Sequence, residues 1–287
     1  MPEQQAGSPN AAQAEYWNSS ATRPWAEQHQ RMDRALAELA TLALGVAAPQ
    51  PGEHVLDIGC GSGTTLLELA ARVGPNGHVL GADISQRSVT RARERIAAAG
   101  LRHAEAICAD VSSHHFDAGS FDLAFSRLGV MFFDEPTAAF GNVRRAMKPG
   151  GRLALAVFRA AEENPWPTAF LGAVRHLLPA SPMPGPDAPG MFSLADPARV
   201  HRILEGAGFR EVSLTPLQFV MQIAGAGGAA EAAEFSMLFG PLTRILPGLS
   251  PQQCEALRRS AETFFQGHLG PQGVTLPSAV WAVQARA

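Results

Sequence analysis

One segment restricts the fold more than any other, because it joins a strand-like run to a glycine-rich turn and a helix. Val55-Leu56-Asp57-Ile58 is a short apolar run that leads into a turn with glycines at positions 59, 61 and 63. Residues 64–73 then place apolar side chains at helical spacing. Glycine adopts positive φ without steric cost and lets a ligand approach the main chain, while the start of a helix leaves N–H groups unpaired. The segment therefore predicts a strand, a tight turn and a helix that together bind a nucleotide.

Strand and helix patterns alternate along most of the chain after this segment. Ser85 and Asp196-Pro197 are typical helix starts, and Gly100 and Gly208 are typical helix ends. Repeated alternation with short connections favours a parallel sheet covered by helices on both faces. We therefore predict an α/β fold around a seven-stranded, mostly parallel sheet. The predicted strands are residues 53–59, 78–83, 103–109, 121–126, 152–158, 209–214 and 279–285, and the predicted helices include residues 29–44, 64–73, 85–99, 229–239 and 251–265.

Three segments interrupt this alternation and are predicted to lie outside the sheet. The first dozen residues are small and polar, the stretch after residue 158 is rich in proline, and a long stretch after residue 214 contains Gly225-Ala226-Gly227-Gly228. We expect the first dozen residues to be a disordered tail, and residues 16–31, 159–195 and 215–278 to cover the carboxyl ends of the strands and enclose the acceptor. The predicted layout is a disordered tail and N-terminal helical lid (1–45), a cofactor-binding core (46–158), a lid insertion (159–195), a core helix and strand (196–214), a helical lid insertion (215–278) and the last core strand (279–287).

The amino-acid composition indicates the cellular compartment of the protein and excludes some classes of binding partner. The chain has 287 residues with 46% apolar content, and its 23 basic and 26 acidic residues give a formal charge of −3. This balance argues against a nucleic-acid partner held by a basic stripe. The three cysteines are too few for a disulfide framework or a metal site, and no apolar run is long enough to cross a bilayer. We expect a soluble protein in the reducing cytoplasm with no membrane partner and no metal, either as a monomer or as a homodimer.

Two further carboxylates follow the next two predicted strands. Asp83 ends one of them and Asp110 follows the other, and the carboxyl ends of parallel strands meet at one edge of a sheet. The carboxylate of Asp83 can accept hydrogen bonds from the two hydroxyls of a ribose, and Ile84 can pack against the face of a purine. The carboxylate of Asp110 can accept a hydrogen bond from an adenine amino group, and the backbone N–H of Val111 can donate one to the adenine ring. Each acid alone also fits a plainer interpretation, Asp83 as a helix cap and Asp110 as a turn residue.

In this order, the motifs resemble those of the class I S-adenosylmethionine-dependent methyltransferases, in the small-molecule branch related to the ubiquinone and menaquinone C-methyltransferases. The resemblance covers about residues 46–158. Phe121-Asp122-Leu123-Ala124-Phe125-Ser126 looks like the fourth-strand motif of that family, and Met147-Lys148-Pro149-Gly150-Gly151 looks like the turn before its fifth strand. The resemblance implies a Rossmann-like fold with helical lids, S-adenosyl-L-methionine as cofactor and S-adenosyl-L-homocysteine as its product.

The resemblance also implies a reaction and a set of site residues. The reaction is in-line transfer of a methyl group to a small organic acceptor, at oxygen, nitrogen, sulfur or carbon. In this family the acid of the first strand helps to hold the methionine part, and the glycine turn passes beneath it. The fourth-strand serine lies near the reactive methyl group. The positions that match cofactor-binding residues of the family are Asp57, Gly59, Cys60, Gly61, Asp83, Ile84, Asp110, Val111 and Ser126.

Two other functions fit part of the pattern. A nicotinamide-dependent oxidoreductase carries Gly-x-Gly-x-x-Gly, but Thr64 replaces its last glycine here. The glycine turn and both acids are equally compatible with a regulatory protein that binds the cofactor without turnover. The sequence Ser126-Arg127-Leu128-Gly129 also differs from the Asn/Asp-Pro-Pro-Tyr/Phe of many methyltransferases that act on DNA bases or amides. This difference favours a small-molecule acceptor.

Candidates for acceptor binding and catalysis lie outside these motifs. His29 begins an amphipathic helix beside aromatic residues and is our candidate general base, which is needed only where the acceptor must lose a proton. Three aromatic residues near the N-terminus have two possible roles. They either contact the cofactor or the acceptor, or they pack the first helix against the core; they are Tyr16, Trp17 and Trp25. Arg127 either pairs with an acidic acceptor or forms an interior salt bridge.

Overall fold

The fold is built on a single sheet of eight strands. A computed structural model describes residues 10–179, 185 and 188–287, and its strand order is β3-β2-β1-β4-β5-β8-β6, with the short β7 paired to β8. This order confirms the predicted Rossmann-like α/β fold. The strands are β1 (His54–Ile58), β2 (His78–Asp83), β3 (Ala104–Cys108), β4 (Phe121–Arg127), β5 (Met147–Phe158), β6 (Arg210–Ala224), β7 (Leu269–Gly270) and β8 (Gly273–Arg286).

Strands β1 to β5 run parallel, and β8 runs antiparallel to both β5 and β6. In β1, Val55 to Ile58 are all buried. Because successive side chains point to opposite faces, helices must cover both faces of the sheet there. The chain order reverses between β1 and β4, which are neighbours, so the carboxyl ends of these two strands form the switch point where α/β folds bind ligands.

The α-helices cover the sheet, and residues 228–266, two packed helices with the loop between them, form what we call the cap. The helix α5 begins after Gly63 and buries Leu66, Leu69 and Val73. The helices are α1 (Ala11–Asn18), α2 (Arg23–Glu27), α3 (His29–Ala35), α4 (Ala37–Ala47), α5 (Thr64–Val73), α6 (Gln86–Ala98), α7 (Pro136–Ala146), α8 (Pro165–Val174), α9 (Pro197–Gly206), α10 (Gly228–Leu238) and α11 (Pro251–Gln266).

The predicted strand boundaries at residues 214 and 279 are wrong. Strand β6 continues to Ala224 and β8 begins at Gly273, so residues 215–224 and 273–278 extend the sheet instead of forming a lid. The two strands pair along this extension, and Phe219, Met221 and Ile223 are buried along β6. Prolines 216 and 277 obscured this alternation in the sequence. The helices predicted at residues 229–239 and 251–265 are confirmed, as α10 and α11.

The N-terminal prediction is partly wrong as well. The helix α1 begins at Ala11, within the dozen residues predicted to be disordered, while residues 1–9 lie outside the described residues. The single helix predicted at residues 29–44 is interrupted at Leu36 and continues to Ala47, past Gly45. Leu36 and Leu39 are nonetheless buried, as their helical spacing predicts.

The ends of β1 and β4 touch through two glycines. A Cβ atom on Gly59 would lie 2.8 Å from the Cα atom of Gly129, and Gly59 has a positive φ of 68°. Beside this contact, the Ser126 hydroxyl donates to the Ile58 carbonyl at 2.7 Å and accepts from the Gly129 N–H at 3.2 Å. The contact therefore excludes any side chain at position 59.

We expect Gly59→Ala to destabilise the protein more than Gly61→Ala does. Both glycines have positive φ, so both substitutions carry about 1 kcal/mol of backbone strain. Only position 59 adds a collision, since nothing lies within 4 Å of a Cβ atom on Gly61. Such overpacking adds about 1–3 kcal/mol. Urea denaturation of both variants measures the difference, and equal losses of unfolding free energy would contradict the close contact.

Candidate functional site

The carboxylate of Asp57 is fully buried at the end of β1. Its Oδ2 atom accepts a hydrogen bond from the Thr65 hydroxyl at 2.8 Å, while within the described ranges its Oδ1 atom has no partner. Burial raises the pKa of Asp57 to about 7, and the charge of Asp83 adds to this effect, whereas Thr65 and Arg127 oppose it. A buried acceptor without a donor is costly, so Asp57 is a candidate for contact with a ligand.

Asp83 holds the glycine turn from the next strand. Its two carboxylate oxygens accept hydrogen bonds from the N–H groups of Gly61 and Ser85, each at 2.8 Å. Burial raises the pKa of Asp83, and these two bonds oppose that effect. Each carboxylate oxygen can accept a further bond. Asp83 therefore keeps capacity for ligand hydroxyls, and it also has the plainer role of stabilising the turns on either side.

Asp110 is contacted by a residue that the sequence analysis missed. Asn10, which is 3% exposed, donates from its side-chain Nδ2 atom to Asp110 Oδ1 at 2.9 Å. Its Oδ1 atom accepts from the backbone N–H of Asp134 at 2.8 Å. Asp110 also accepts from the Ser112 N–H and hydroxyl, as expected of a turn residue. The neighbouring Val111 is buried, with its carbonyl bound to the Asn142 side chain.

A second asparagine fixes the other end of α1 to the same edge of the sheet. The Asn18 side chain donates to the Ile84 carbonyl at 3.0 Å and accepts from the Gln86 N–H at 3.0 Å. Arg87 also donates to the Asn18 and Ser19 carbonyls. The helix α1 therefore spans the carboxyl ends of β2 and β3, where the sequence analysis expects the adenosine part of the cofactor.

A further network joins α3 to the glycine turn. Asp33 accepts a hydrogen bond from the Thr64 hydroxyl at 2.5 Å and pairs with Arg95 at 3.2 Å. Arg95 also donates to the Ser62 carbonyl and to Thr64. Neither Asp33 nor Arg95 has a sequence signal that distinguishes it from a surface charge. This network positions the N-terminal helices against the turn.

Five aromatic side chains connect the N-terminal helices to the rest of the site, and we call them the aromatic bridge. Trp17 meets Tyr16, Trp25 and Phe132 edge to face, with ring centroids 5.3–5.5 Å apart. Trp25 meets Phe239, which follows α10, in the same way at 5.4 Å. The bridge thus links α1 and α2 to the loop after β4 and to the cap. The proposed fixing of the first helix is therefore present, and contact with a ligand remains a prediction.

Tyr16 has two further contacts with the cap. Because the Thr243 hydroxyl donates to the Gly240 carbonyl at 2.7 Å, the Tyr16 hydroxyl must be the donor in its 3.0 Å bond to Thr243. The guanidinium of Arg244 lies 3.7 Å above the centre of the Tyr16 ring. The single tyrosine of the chain therefore anchors α1 to the loop that follows α10.

The remaining candidates differ in how well their surroundings suit a ligand contact. His29 is partly buried, and its Nδ1 atom lies 3.1 Å from the Ala26 carbonyl. Its Nε2 atom is therefore the ring nitrogen that can act as a base. The Cys60 thiol is buried, and burial raises its pKa well above the ordinary value. The Ser126 hydroxyl is occupied by backbone partners, which favours a structural role. Arg127 forms no ion pair within the described ranges, so the interior salt bridge considered for it is absent there.

Comparison with known proteins identifies the central part of the fold. Residues 55–151 match the family described as "Methyltransferase domain". The core of this chain is therefore similar to methyltransferase domains over these residues. Its glycine turn, Asp83 and Asp110 lie inside the matched segment, as do Ser126 and Arg127.

Curated proteins and solved structures are also similar to this chain, in part of the sequence and in the fold respectively. Aklanonic acid methyltransferase of Streptomyces sp. (strain C5) is 37% identical over 117 residues, which make up 40% of this chain and 53% of that protein. The chain spans about half the length, or less, of the curated relatives it matches. The YcgJ protein of Bacillus subtilis has the same fold, with a TM-score of 0.56 at 17% identity over 86% of this chain and 97% of that one.

Another structure with this fold was solved with a bound ligand. Phosphoethanolamine N-methyltransferase 2 of Haemonchus contortus, in complex with S-adenosyl-L-methionine, gives a TM-score of 0.53 at 16% identity over 86% of this chain and 52% of that one. At these identities the likeness concerns the fold alone. Within the described ranges of our chain, every helix falls short of the length and apolar character that crossing a membrane requires.

The residues of this domain fit S-adenosylmethionine. An unpartnered, buried oxygen of Asp57 suits the ammonium group of the methionine part. The glycine turn brings unshielded backbone close to the same place, since no atom lies near a Cβ on Gly61. Asp83 ends the neighbouring strand β2, and Asp110 follows β3, the next strand along the same edge of the sheet.

We expect Asp57→Asn to stabilise the ligand-free protein in a pH-dependent way. The folded pKa of about 7 lies above the ordinary 3.8, so the folded state holds this proton more tightly than the unfolded state does. The wild type therefore loses stability as pH rises from about 4 to about 7, and the loss levels off above that range. Replacing the carboxylate with an amide removes this loss, worth about 2–4 kcal/mol at about pH 8.

Urea denaturation at about pH 5.5 and about pH 8 measures this gain, with the exposed Asp117→Asn as the control. A gain for Asp57→Asn that is the same at both pH values would show that burial does not raise the pKa of this carboxyl.

Proposed function

We propose that this protein is an S-adenosylmethionine-dependent methyltransferase that acts on a small organic acceptor beneath a helical cover. The observation that carries the proposal is the placement of Asp57, Asp83 and Asp110 at the carboxyl ends of three adjacent strands, around one glycine turn. When bound, the cofactor supplies an electrophilic methyl group on a positively charged sulfur. The protein's task is then to align the acceptor and to exclude water.

Contacts of the N-terminal helices and the cap support an enclosed acceptor. The helix α1 lies across the ends of β2 and β3 through Asn10 and Asn18, and the aromatic bridge continues from it to Phe239. From there Phe235 and Trp166 connect the cap to α8, with centroid distances of 4.7 and 5.7 Å. The second insertion therefore contacts the N-terminal segment directly, and the first insertion contacts it through the second, which supports the proposed cover.

The cover favours an apolar acceptor with one or few polar groups. Aromatic rings meet edge to face between its parts, and the relative named above acts, by its name, on aklanonic acid. We infer an organic acceptor of this general kind, with His29 as the base where a proton must leave. The three cysteines are free, which supports a reducing cytoplasmic setting as part of the proposal.

Asp83→Ala should weaken S-adenosylhomocysteine binding at least tenfold by calorimetry. A carboxylate that accepts ribose hydroxyls contributes about 1.4 kcal/mol or more, and that free energy corresponds to tenfold in affinity. The exposed Asp117→Ala keeps the wild-type affinity and serves as the matched control.

Because Asp83 also holds Gly61 and Ser85, a loss of affinity alone does not identify the ribose contact. The 2′-deoxyribose analogue of the same ligand resolves this ambiguity. We expect it to bind the wild type more weakly than the ribose form, and to bind Asp83→Ala as tightly as the ribose form does. An analogue that loses the same affinity in both proteins would refute the ribose assignment.

Asn10→Ala should speed the entry of S-adenosylhomocysteine about fivefold or more. For an adenine amino group to reach Asp110 Oδ1, Asn10 must give up its bonds to Asp110 and Asp134, each worth about 0.5–1.5 kcal/mol. Stopped-flow fluorescence of Trp17 and Trp25 reports the rate, since both lie in the aromatic bridge. Glu15→Ala, on the exposed side of α1, should leave it unchanged. Equal rates for Asn10→Ala and the wild type would show that α1 does not have to move.

A further inference from the structure

Arg127 and Asp57 lie on one face of the sheet at neighbouring strand ends. Strands β1 and β4 are parallel neighbours, and Asp57 is paired with Phe125 in their register. Paired residues of parallel strands point to the same face, and so do residues two apart on one strand. The side chains of Asp57 and Arg127 therefore project from the same face, about two residues apart along the strand direction.

Neither charged group has a charged partner in the described part of the chain. The Oδ1 atom of Asp57 and the Nη1 atom of Arg127 are both buried without a hydrogen bond, and no ion pair joins the two side chains. Asp33, whose charge favours the charged form of Arg127 more than the charge of Asp57 does, is itself engaged by Arg95 at 3.2 Å and by Thr64 at 2.5 Å. A carboxylate and a guanidinium thus lie on the same face at neighbouring strand ends, and neither has an ion-pair partner among the described residues.

This arrangement is unfavourable for folding. Burial raises the pKa of Asp57 and lowers that of Arg127, so the protein environment disfavours the charged form of both groups. Charges taken out of water without partners are among the costliest features a fold can retain. A ligand that carries a cation and an anion close together would satisfy both groups at once.

We propose that Arg127 binds the carboxylate of the amino acid part of the methyl donor, opposite an ammonium group held by Asp57. The inference rests on the proposed function, because it assigns a contact to the donor of that reaction. It replaces the expectation that Arg127 pairs with an acidic acceptor. Arg127 lies two residues before Gly129, which touches Gly59 of the glycine turn, so its position belongs to the donor side of the site.

Holding both charged groups of the amino acid has a consequence for orientation. A zwitterion fixed at two points cannot rotate about one of them, so the atoms attached to it are also fixed. A guanidinium is suited to this task, since its planar fork presents paired donors to a carboxylate and it stays charged despite burial. Lysine at the same position would keep the charge and lose the paired geometry.

Three ligands separate this contact from the rest of the site in a calorimetric test. S-adenosylhomocysteine carries both charged groups, its decarboxylated analogue keeps only the ammonium, and 5′-methylthioadenosine has neither. We expect Arg127→Met to weaken S-adenosylhomocysteine binding at least tenfold and to leave the affinity for the other two ligands within about twofold of the wild type. Arg127→Lys should give an intermediate loss for S-adenosylhomocysteine alone and checks that a cation at this position preserves the fold. Arg159→Met, at a partly buried arginine beyond β5 that pairs with Glu163, is the matched control and should change none of the three affinities.

Two results would overturn the inference while leaving the proposed function in place. One is an unchanged affinity of Arg127→Met for S-adenosylhomocysteine, as expected if Arg127 binds the acceptor. The other is an equal loss for all three ligands, as expected if Arg127 only supports the fold. If none of the ligands binds the wild type, the proposed function fails, and this inference fails with it.

Discussion

The close approach of β1 and β4 at their carboxyl ends determines the geometry of the whole site. The backbones of Gly59 and Gly129 are in contact, and Ser126 fastens them by bonding to Ile58 and to Gly129. Because β1 leads to one half of the sheet and β4 to the other, this is also where the chain order reverses. The path of the glycine turn follows from that contact. The positions of Asp57 and Arg127 on the shared face follow from the register of the same two strands.

Much of the sheet was predictable from sequence, because its central strands are buried on both faces and appear as short apolar runs. The boundaries of β6 and β8 were not, for a physical reason that concerns Pro216 and Pro277. Proline is excluded from the middle of a sheet but tolerated where one side of a strand is unpaired. Strand β6 lies at the edge, and β8 pairs with β5 only from Val280 onward, so both prolines occupy positions that lack a second neighbouring strand. Residues that indicate a break in most settings were compatible with a strand here.

The acids of the site were predictable, whereas the residues that cover them were not. Asp57, Asp83 and Asp110 follow apolar runs, so their place at the edge of the sheet depends only on local pattern and on parallel topology. The contact of Asn10 with Asp110 joins residues 100 positions apart, and a polar side chain near the start of a chain has no local feature that indicates such a partner. The aromatic residues were recognised as either fixing α1 or meeting a ligand. The ring contacts in the structure account for the first role.

The electrostatics of the site show how stability and ligand binding oppose each other in this fold. Arg95 neutralises Asp33, and backbone N–H groups compensate Asp83. The burial of Asp57 is offset only by the Thr65 hydroxyl and by the charge of Arg127, which forms no ion pair with it among the described residues. The carboxyl group of Asp57 is therefore only partly ionised near neutral pH, and a proton is its alternative partner when no cation is present. A cationic ligand group that binds Asp57 must displace that proton. The free energy lost by keeping this acid buried and unpaired becomes available to a ligand that supplies the missing charge, which is why a carboxylate at this position serves binding better than it serves the fold.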